Sequence, residues 1–197
     1  MPRADQLREL DFDLPLDGAV RPTAADIGRC VDAWLPPGDL MAGRTFDLGS
    51  AAAKPLAGML TGSIDLVVRA RGSGGEPDRF VVADYKTNLL APKGTSDPEA
   101  AHPDRLADAM AKHDYQLQAL LYEVALHRYL RWRLPDYDPE VHLGGAAYLF
   151  LRGMVGPDTP TLDDSRRYGV FTWQPPAGLI VALSDLLAGA DLDEVTP

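Results

Sequence analysis

The chain alternates between short apolar runs with a two-residue period and longer runs with a helical one. Residues 7–14, LRELDFDL, alternate apolar and polar side chains and predict a strand that stops at Pro15. Thr23 is placed to cap a short helix running to Trp34, ended by Pro36 and Pro37. Two apolar stretches, 57–70 and 79–87, flank the Gly-rich segment RGSGGEPD and read as an antiparallel hairpin. A polar, Pro-containing loop over 91–103 precedes the longest helical pattern, 104–133. There Leu117, Leu120, Leu121, Val124 and Ala125 share one face, and Pro135 ends the run. Residues 143–151 and 168–173 predict two more strands, and a last helix over 177–188 follows Pro175 and Pro176. Strands in one sheet with helices packed on it give a mixed α/β fold.

Composition narrows the picture. A length of 197 residues suits one domain spanning the chain, with a core large enough to fold unaided. No apolar run approaches the ~18 residues of a membrane span, and MPRADQLREL lacks the apolar stretch of a signal peptide. A single cysteine, Cys30, excludes an internal disulfide and a Cys-built zinc or iron–sulfur centre. The expected home is the reducing cytoplasm. Nineteen basic against twenty-nine acidic residues leave a net charge of −10. A chain this acidic holds free nucleic acid poorly by its own field.

The hairpin carries the candidate chemistry. On its second strand Phe80, Val82, Asp84 and Lys86 share a face, and Val81, Ala83 and Tyr85 share the other. If the turn centres between Gly74 and Gly75, Asp65 on the first strand faces Asp84. Opposed Cβ atoms lie roughly 4.5–5.5 Å apart, so two carboxylates there repel unless a cation lies between them. Carboxylate oxygens completed by water and phosphate are what Mg²⁺ prefers. Lys86 would then orient a water or offset charge on a phosphate, a constellation suited to phosphodiester hydrolysis. A D-x-K pair alone is more often a salt-bridged surface pair; the opposed Asp65 brings the catalytic reading level with that one.

Other residues read less sharply. Gln118 and Tyr122, four apart on a helix, present an amide and a phenol side by side, either as a core pair or as a substrate contact. Glu9, taken alone, is an ordinary exposed strand glutamate. Trp34, Trp132, Trp173 and the string Tyr148–Phe150 read as core or rim packing, and His127 as a packed residue. Arg128, Arg131 and Arg133 read as a solvated helix face ahead of a DNA track.

Five strings, GMLTGSIDLV (58–67), VADYKTN (82–88), QALLYEVALHRYL (118–130), GGAAYLFLRGM (144–154) and PPAGLIVAL (175–183), run in order along the chain. With them, from about Leu7 to Gly189, it resembles the C-terminal nuclease domain of the RecB family, helicase–nuclease subunits within the PD-(D/E)-x-K superfamily. The resemblance implies a restriction-endonuclease-like core, a mixed central sheet flanked by helices. It also implies a Mg²⁺-dependent exodeoxyribonuclease, with Mn²⁺ or Ca²⁺ able to replace Mg²⁺ in binding. Single-stranded DNA would be fed by a helicase, with the other subunits of a RecBCD-like complex as partners, in double-strand-break repair. Position by position, Asp65 and Asp84 match the metal-binding aspartates and Lys86 the catalytic lysine. Tyr85 matches the residue whose main-chain carbonyl is a further ligand, and Glu9 an acidic residue needed for activity. Gln118 and Tyr122 match the family's Q-x-x-x-Y motif. The family's further metal-binding histidine lies on a helix upstream of the Glu9 region, and none of His102, His113, His127 or His142 replaces it. The chain is therefore expected to lack that helix. An inactive docking or regulatory module is the competing reading, and an unrelated metal-dependent phosphoesterase ranks last.

Overall fold

A computed structural model describes residues 2–44, 52–91 and 95–197. Five strands form one sheet in the order β1 (Gln6–Leu16), β2 (Gly58–Ala70), β3 (Arg79–Lys86), β4 (Leu143–Phe150) and β5 (Val170–Trp173). The pairs β1–β2, β2–β3 and β4–β5 are antiparallel, whereas β3–β4 is parallel. A parallel pair needs a crossover of a dozen or more residues. Here α2 (Asp97–Ala100), α3 (Pro103–Lys112), α4 (Tyr115–Arg133) and α5 (Pro139–His142) supply it. With α1 (Ala24–Trp34), α6 (Ala177–Leu187) and α7 (Leu192–Val195), the architecture is a mixed α/β sheet flanked by helices, consistent with a restriction-endonuclease-like core.

Local chemistry explains most element boundaries. Thr23 and Asp26 close a reciprocal capping box at the start of α1, where Thr23 Oγ1 accepts from Asp26 N and Asp26 Oδ2 accepts from Thr23 N. The strand expected to stop at Pro15 runs on to Leu16, with Pro15 opposite Met59. Proline is tolerated there because β1 is an edge strand, where a missing N–H need not break a ladder. The helix expected over 104–133 is two helices. Asp114 adopts φ 53°, a left-handed conformation that aspartate tolerates, and α4 begins anew at Tyr115. The loop expected over 91–103 contains α2.

The core lies between the sheet and α4 and α6. Leu120, Val124, Leu126 and Leu130 of α4 join Leu179, Ile180 and Leu183 of α6 and the sheet's Ile64, Val82, Tyr148 and Phe150. Cys30 is buried, and burial pushes its thiol up to about 11, a structural rather than reactive setting. One expectation of a solvated surface fails here. Arg128 is half-buried: it reaches α6 and donates to Ser184 Oγ at 3.0 Å and Ser184 O at 2.6 Å, while Arg131 and Arg133 are exposed. Of the core and rim positions open to Trp132 the structure has the rim, 76% exposed and edge-on to Tyr129. Among the described residues no helix is long and apolar enough to cross a membrane.

Candidate active site

The hairpin register is the expected one. Val68 faces Val81, Val67 faces Val82 and Leu66 faces Ala83, and the next step along both strands is Asp65 and Asp84. The ladder ends just before them, and the Asp65 side chain turns to the backbone instead, Oδ2 accepting from Tyr85 N at 3.2 Å. On the other side of β2, Arg8 faces Leu66 and Leu10 faces Ile64, which brackets Glu9 and Asp65. Glu9, Asp65 and Asp84 thus succeed one another across three strands.

Glu9 lies at φ 51°, in a region that costs a non-glycine residue roughly 1–2 kcal/mol. At the same level the alternation of β2 slips, because its buried positions Ile64 and Val67 are three apart rather than two. Asp65 stands exposed within that slip. Glu9 is exposed as well, and among the described residues no three of His, Cys, Asp and Glu lie close enough to form a metal-binding group. The backbone brings Glu9 into line, but its carboxylate does not complete a cluster with the two aspartates.

Asp84 is 3% exposed. Burial raises its carboxyl above the usual aspartate range, and the Asp65 charge adds to this, while Lys86 works against both. Lys86 Nζ lies 2.8 Å from Asp84 Oδ2 and donates to Gln118 Oε1 at 2.7 Å. The same Gln118 oxygen accepts from the Tyr148 hydroxyl at 3.1 Å, and Gln118 Nε2 donates to the Tyr122 hydroxyl at 3.0 Å. A continuous polar chain therefore runs from Asp84 through Lys86 to α4. Burial raises the phenols of Tyr122 and Tyr148, with the Asp84 charge adding to it, so both stay protonated, Tyr148 as a donor to Gln118 and Tyr122 as an acceptor from it.

Tyr122 meets the Phe12 ring edge-on at 5.9 Å, and Phe12 lies across Gly62, where a Cβ would fall 2.5 Å from the ring. Beside them opens a groove of about 310 Å³, walled by Phe12, Leu60, Gly62, Leu117, Leu121 and Tyr122. Tyr85 directs an exposed side chain outward, on the face opposite its neighbours Asp84 and Lys86.

Asp65, Asp84, Lys86, Gln118 and Tyr122 converge as the sequence suggested. Two aromatic partners of Lys86 were not singled out as such. Tyr148, expected only to pack, is the parallel neighbour of Asp84 in β4, and its ring lies 5.2 Å from Lys86 Nζ. The Tyr115 ring lies 4.1 Å from it. The three-residue helical spacing from Tyr115 to Gln118 was the available signal for the second. Three histidines are engaged elsewhere, His102 with Asp104, His127 with Tyr137 and His142 with Asp138, while His113 stacks on Tyr115 at the edge of the site.

No family model matches the chain. It is 48% identical over 192 residues to RecBCD enzyme subunit RecB of Mycobacterium tuberculosis, an alignment covering 93% of the chain and 16% of that protein. The RecB subunit of Mycolicibacterium smegmatis is 46% identical over 194 residues, 93% of the chain and 17% of the protein. The Escherichia coli subunit is 44% identical over 156 residues, covering 77% and 12%. The chain spans about one sixth of the length of the curated relatives it matches most fully. It belongs to the RecB family, as a homologue of one segment of that subunit.

Proposed function

We propose that this chain is the nuclease domain of a RecB-like helicase–nuclease and hydrolyses phosphodiester bonds of single-stranded DNA with the help of Mg²⁺. The observation that carries the reading is Lys86, held between Asp84 and Gln118 beside a second aspartate. Asp65 and Asp84 offer the hard oxygen donors Mg²⁺ favours, and their mutual repulsion is what such a cation relieves. Among the described residues no third histidine, cysteine, aspartate or glutamate completes the group, so water, the Tyr85 carbonyl and substrate phosphate would supply further oxygens. When bound, the cation supplies Lewis-acid polarisation of the phosphate and a water of lowered pKa.

The chain's own residues do the rest. Lys86 presents its ammonium to the negative charge that grows on the phosphate as water attacks phosphorus and one ester oxygen leaves. Gln118 and Tyr122 hold Lys86 in register with α4, and the groove beside them offers an apolar wall to an unpaired strand. A net charge of −10 gives the domain little attraction for free DNA, which fits a strand delivered by the helicase of a RecBCD-like complex in recombinational repair in the cytoplasm.

One competing reading, a nuclease-like module that docks in a repair complex without cutting, is favoured by Glu9, whose exposed carboxylate joins no metal-binding group with Asp65 and Asp84 among the described residues. Titration with Mn²⁺ or Mg²⁺, beside the Asp65→Ala variant and followed by labelled single-stranded DNA, separates them. Binding and cutting by the parent, both lost in the variant, are the expected result. A parent that binds no metal and cuts nothing would leave the docking reading.

A further inference from the structure

We propose that Tyr115 is a positioning residue for Lys86, its ring face fixing the ammonium while leaving one N–H free for a substrate oxygen. The inference rests on the nuclease reading for its purpose, though not for its geometry. An ammonium has three N–H donors. Gln118 Oε1 takes one of them at 2.7 Å, and the Asp84 carboxylate pairs with the charge at 2.8 Å. The Lys86 side chain is only 12% exposed, so something other than water covers most of what remains. That cover is aromatic: Nζ lies 4.1 Å from the centre of the Tyr115 ring and 5.2 Å from that of Tyr148.

A ring face attracts a cation through its quadrupole and presents no directional acceptor. A third carboxylate or carbonyl would have consumed the last proton; a ring restrains the ammonium and leaves that proton available. The rings are themselves fixed. Tyr115 and Tyr148 stack at 5.9 Å with 27° between their planes, and His113 stacks on Tyr115 at 5.3 Å. Tyr115 owes its place to the left-handed Asp114, which ends one helix and starts α4 with Tyr115 as its first residue. The Tyr115 hydroxyl makes no hydrogen bond among the described residues, and burial keeps it protonated, so the ring rather than the phenol is the active part.

The test separates ring from hydroxyl and position from turnover. In proton NMR of the metal-free chain, the Lys86 ε-methylene should resonate upfield of the other lysines, shifted by the ring current. Tyr115→Phe should keep that shift and cut single-stranded DNA at nearly the parent rate. Tyr115→Leu should lose the shift and about tenfold in kcat, with KM for the strand little changed. If the leucine variant fails to fold, pentafluorophenylalanine at position 115 keeps the shape but reverses the quadrupole, and the same tenfold loss is expected. An unshifted Lys86 in the parent, full turnover in the leucine or fluorinated variant, or a loss in Tyr115→Phe equal to that in Tyr115→Leu would overturn the proposal. If the parent cuts no DNA, the nuclease reading falls on its own, and the ring-current comparison still decides where Tyr115 holds Lys86.

Discussion

Lys86 Nζ and Gln118 Oε1 lie 2.7 Å apart although 32 residues separate them in the chain. The bond joins the end of β3 to the first turn of α4, so a site whose charges sit on a hairpin takes its alignment from a helix. Gln118 makes three contacts at once, to Lys86, Tyr148 and Tyr122. Its amide is the joint of the site.

Replacing that joint should be costly in two ways. Gln118→Leu removes the Tyr148 and Tyr122 hydroxyls' bonds to the amide and the acceptor that Lys86 has on α4. We expect a loss of stability of about 1–3 kcal/mol and of cleavage by about ten- to hundredfold. Denaturant melts and single-turnover cleavage measure the two. An unchanged cleavage rate would show that Lys86 needs no anchor on α4.

Asp84 should behave oppositely in stability and activity. Burial makes its ionised form costly, and its raised pKa means that Lys86 only partly offsets that cost. Asp84→Asn keeps an oxygen for Lys86 to reach but removes the charge. In the absence of divalent cations this variant should melt at or above the parent temperature, yet cut no DNA. Asp84→Ala removes the oxygen too and should melt lower than both. If Asp84→Asn melts well below the parent, the aspartate charge is a structural need rather than a functional burden.

These expectations rest on features of unequal visibility in the sequence. The hairpin register could be read because Gly74 and Gly75 fix the turn and pairing then follows by counting, as the facing of Leu66 and Ala83 shows. The Asp65–Asp84 pair and the Gln118–Tyr122 bond follow from strand and helix periods alone. What could not be read lies between elements. Tyr148 becomes the neighbour of Asp84 only through the parallel β3–β4 pairing, which no local period encodes. Arg128 looks solvated by composition and donates instead to Ser184 on another helix. The positive φ angles at Glu9, inside β1, and at Asp114 are likewise hidden, since neither residue is a glycine.

The site leans on Gly62 through Phe12. A Cβ there would fall 2.5 Å from the Phe12 ring, and Phe12 in turn braces Tyr122. Gly62→Ala should cost about 1–3 kcal/mol through overpacking and slow cleavage by displacing Tyr122. Adding Phe12→Leu should recover part of the lost stability, a non-additive outcome because the two positions share one contact. Simple additivity in melts of the double variant would mean that the ring moves aside freely and that Tyr122 does not depend on it.

Two buried groups one turn apart on α4 should set the pH range of stability. Glu123 is 1% exposed, and burial pushes its carboxyl from 4.5 up to about 8. His127 donates to or accepts from the Tyr137 hydroxyl at 2.9 Å, and burial, with Arg131 and Arg128 adding to it against Asp185, pushes it from 6.5 down to about 4. For Glu123 the folded state holds the proton more tightly than the unfolded one, so stability is full below 4.5 and falls as pH rises to about 8. For His127 the folded state holds it less tightly, so stability is full above 6.5 and falls as pH drops to about 4. Between 4.5 and 6.5 the two slopes oppose each other, and above 6.5 only the Glu123 loss continues. Denaturant melts should therefore give similar stability at pH 5 and 6, then a decline of a few kcal/mol by pH 8.5. Glu123→Gln, which keeps the shape without the charge, should flatten the alkaline decline and leave the acid limb in place. A parent chain as stable at pH 8.5 as at pH 6 would mean that Glu123 reaches water or a cation in solution and is not the neutral buried acid its setting implies.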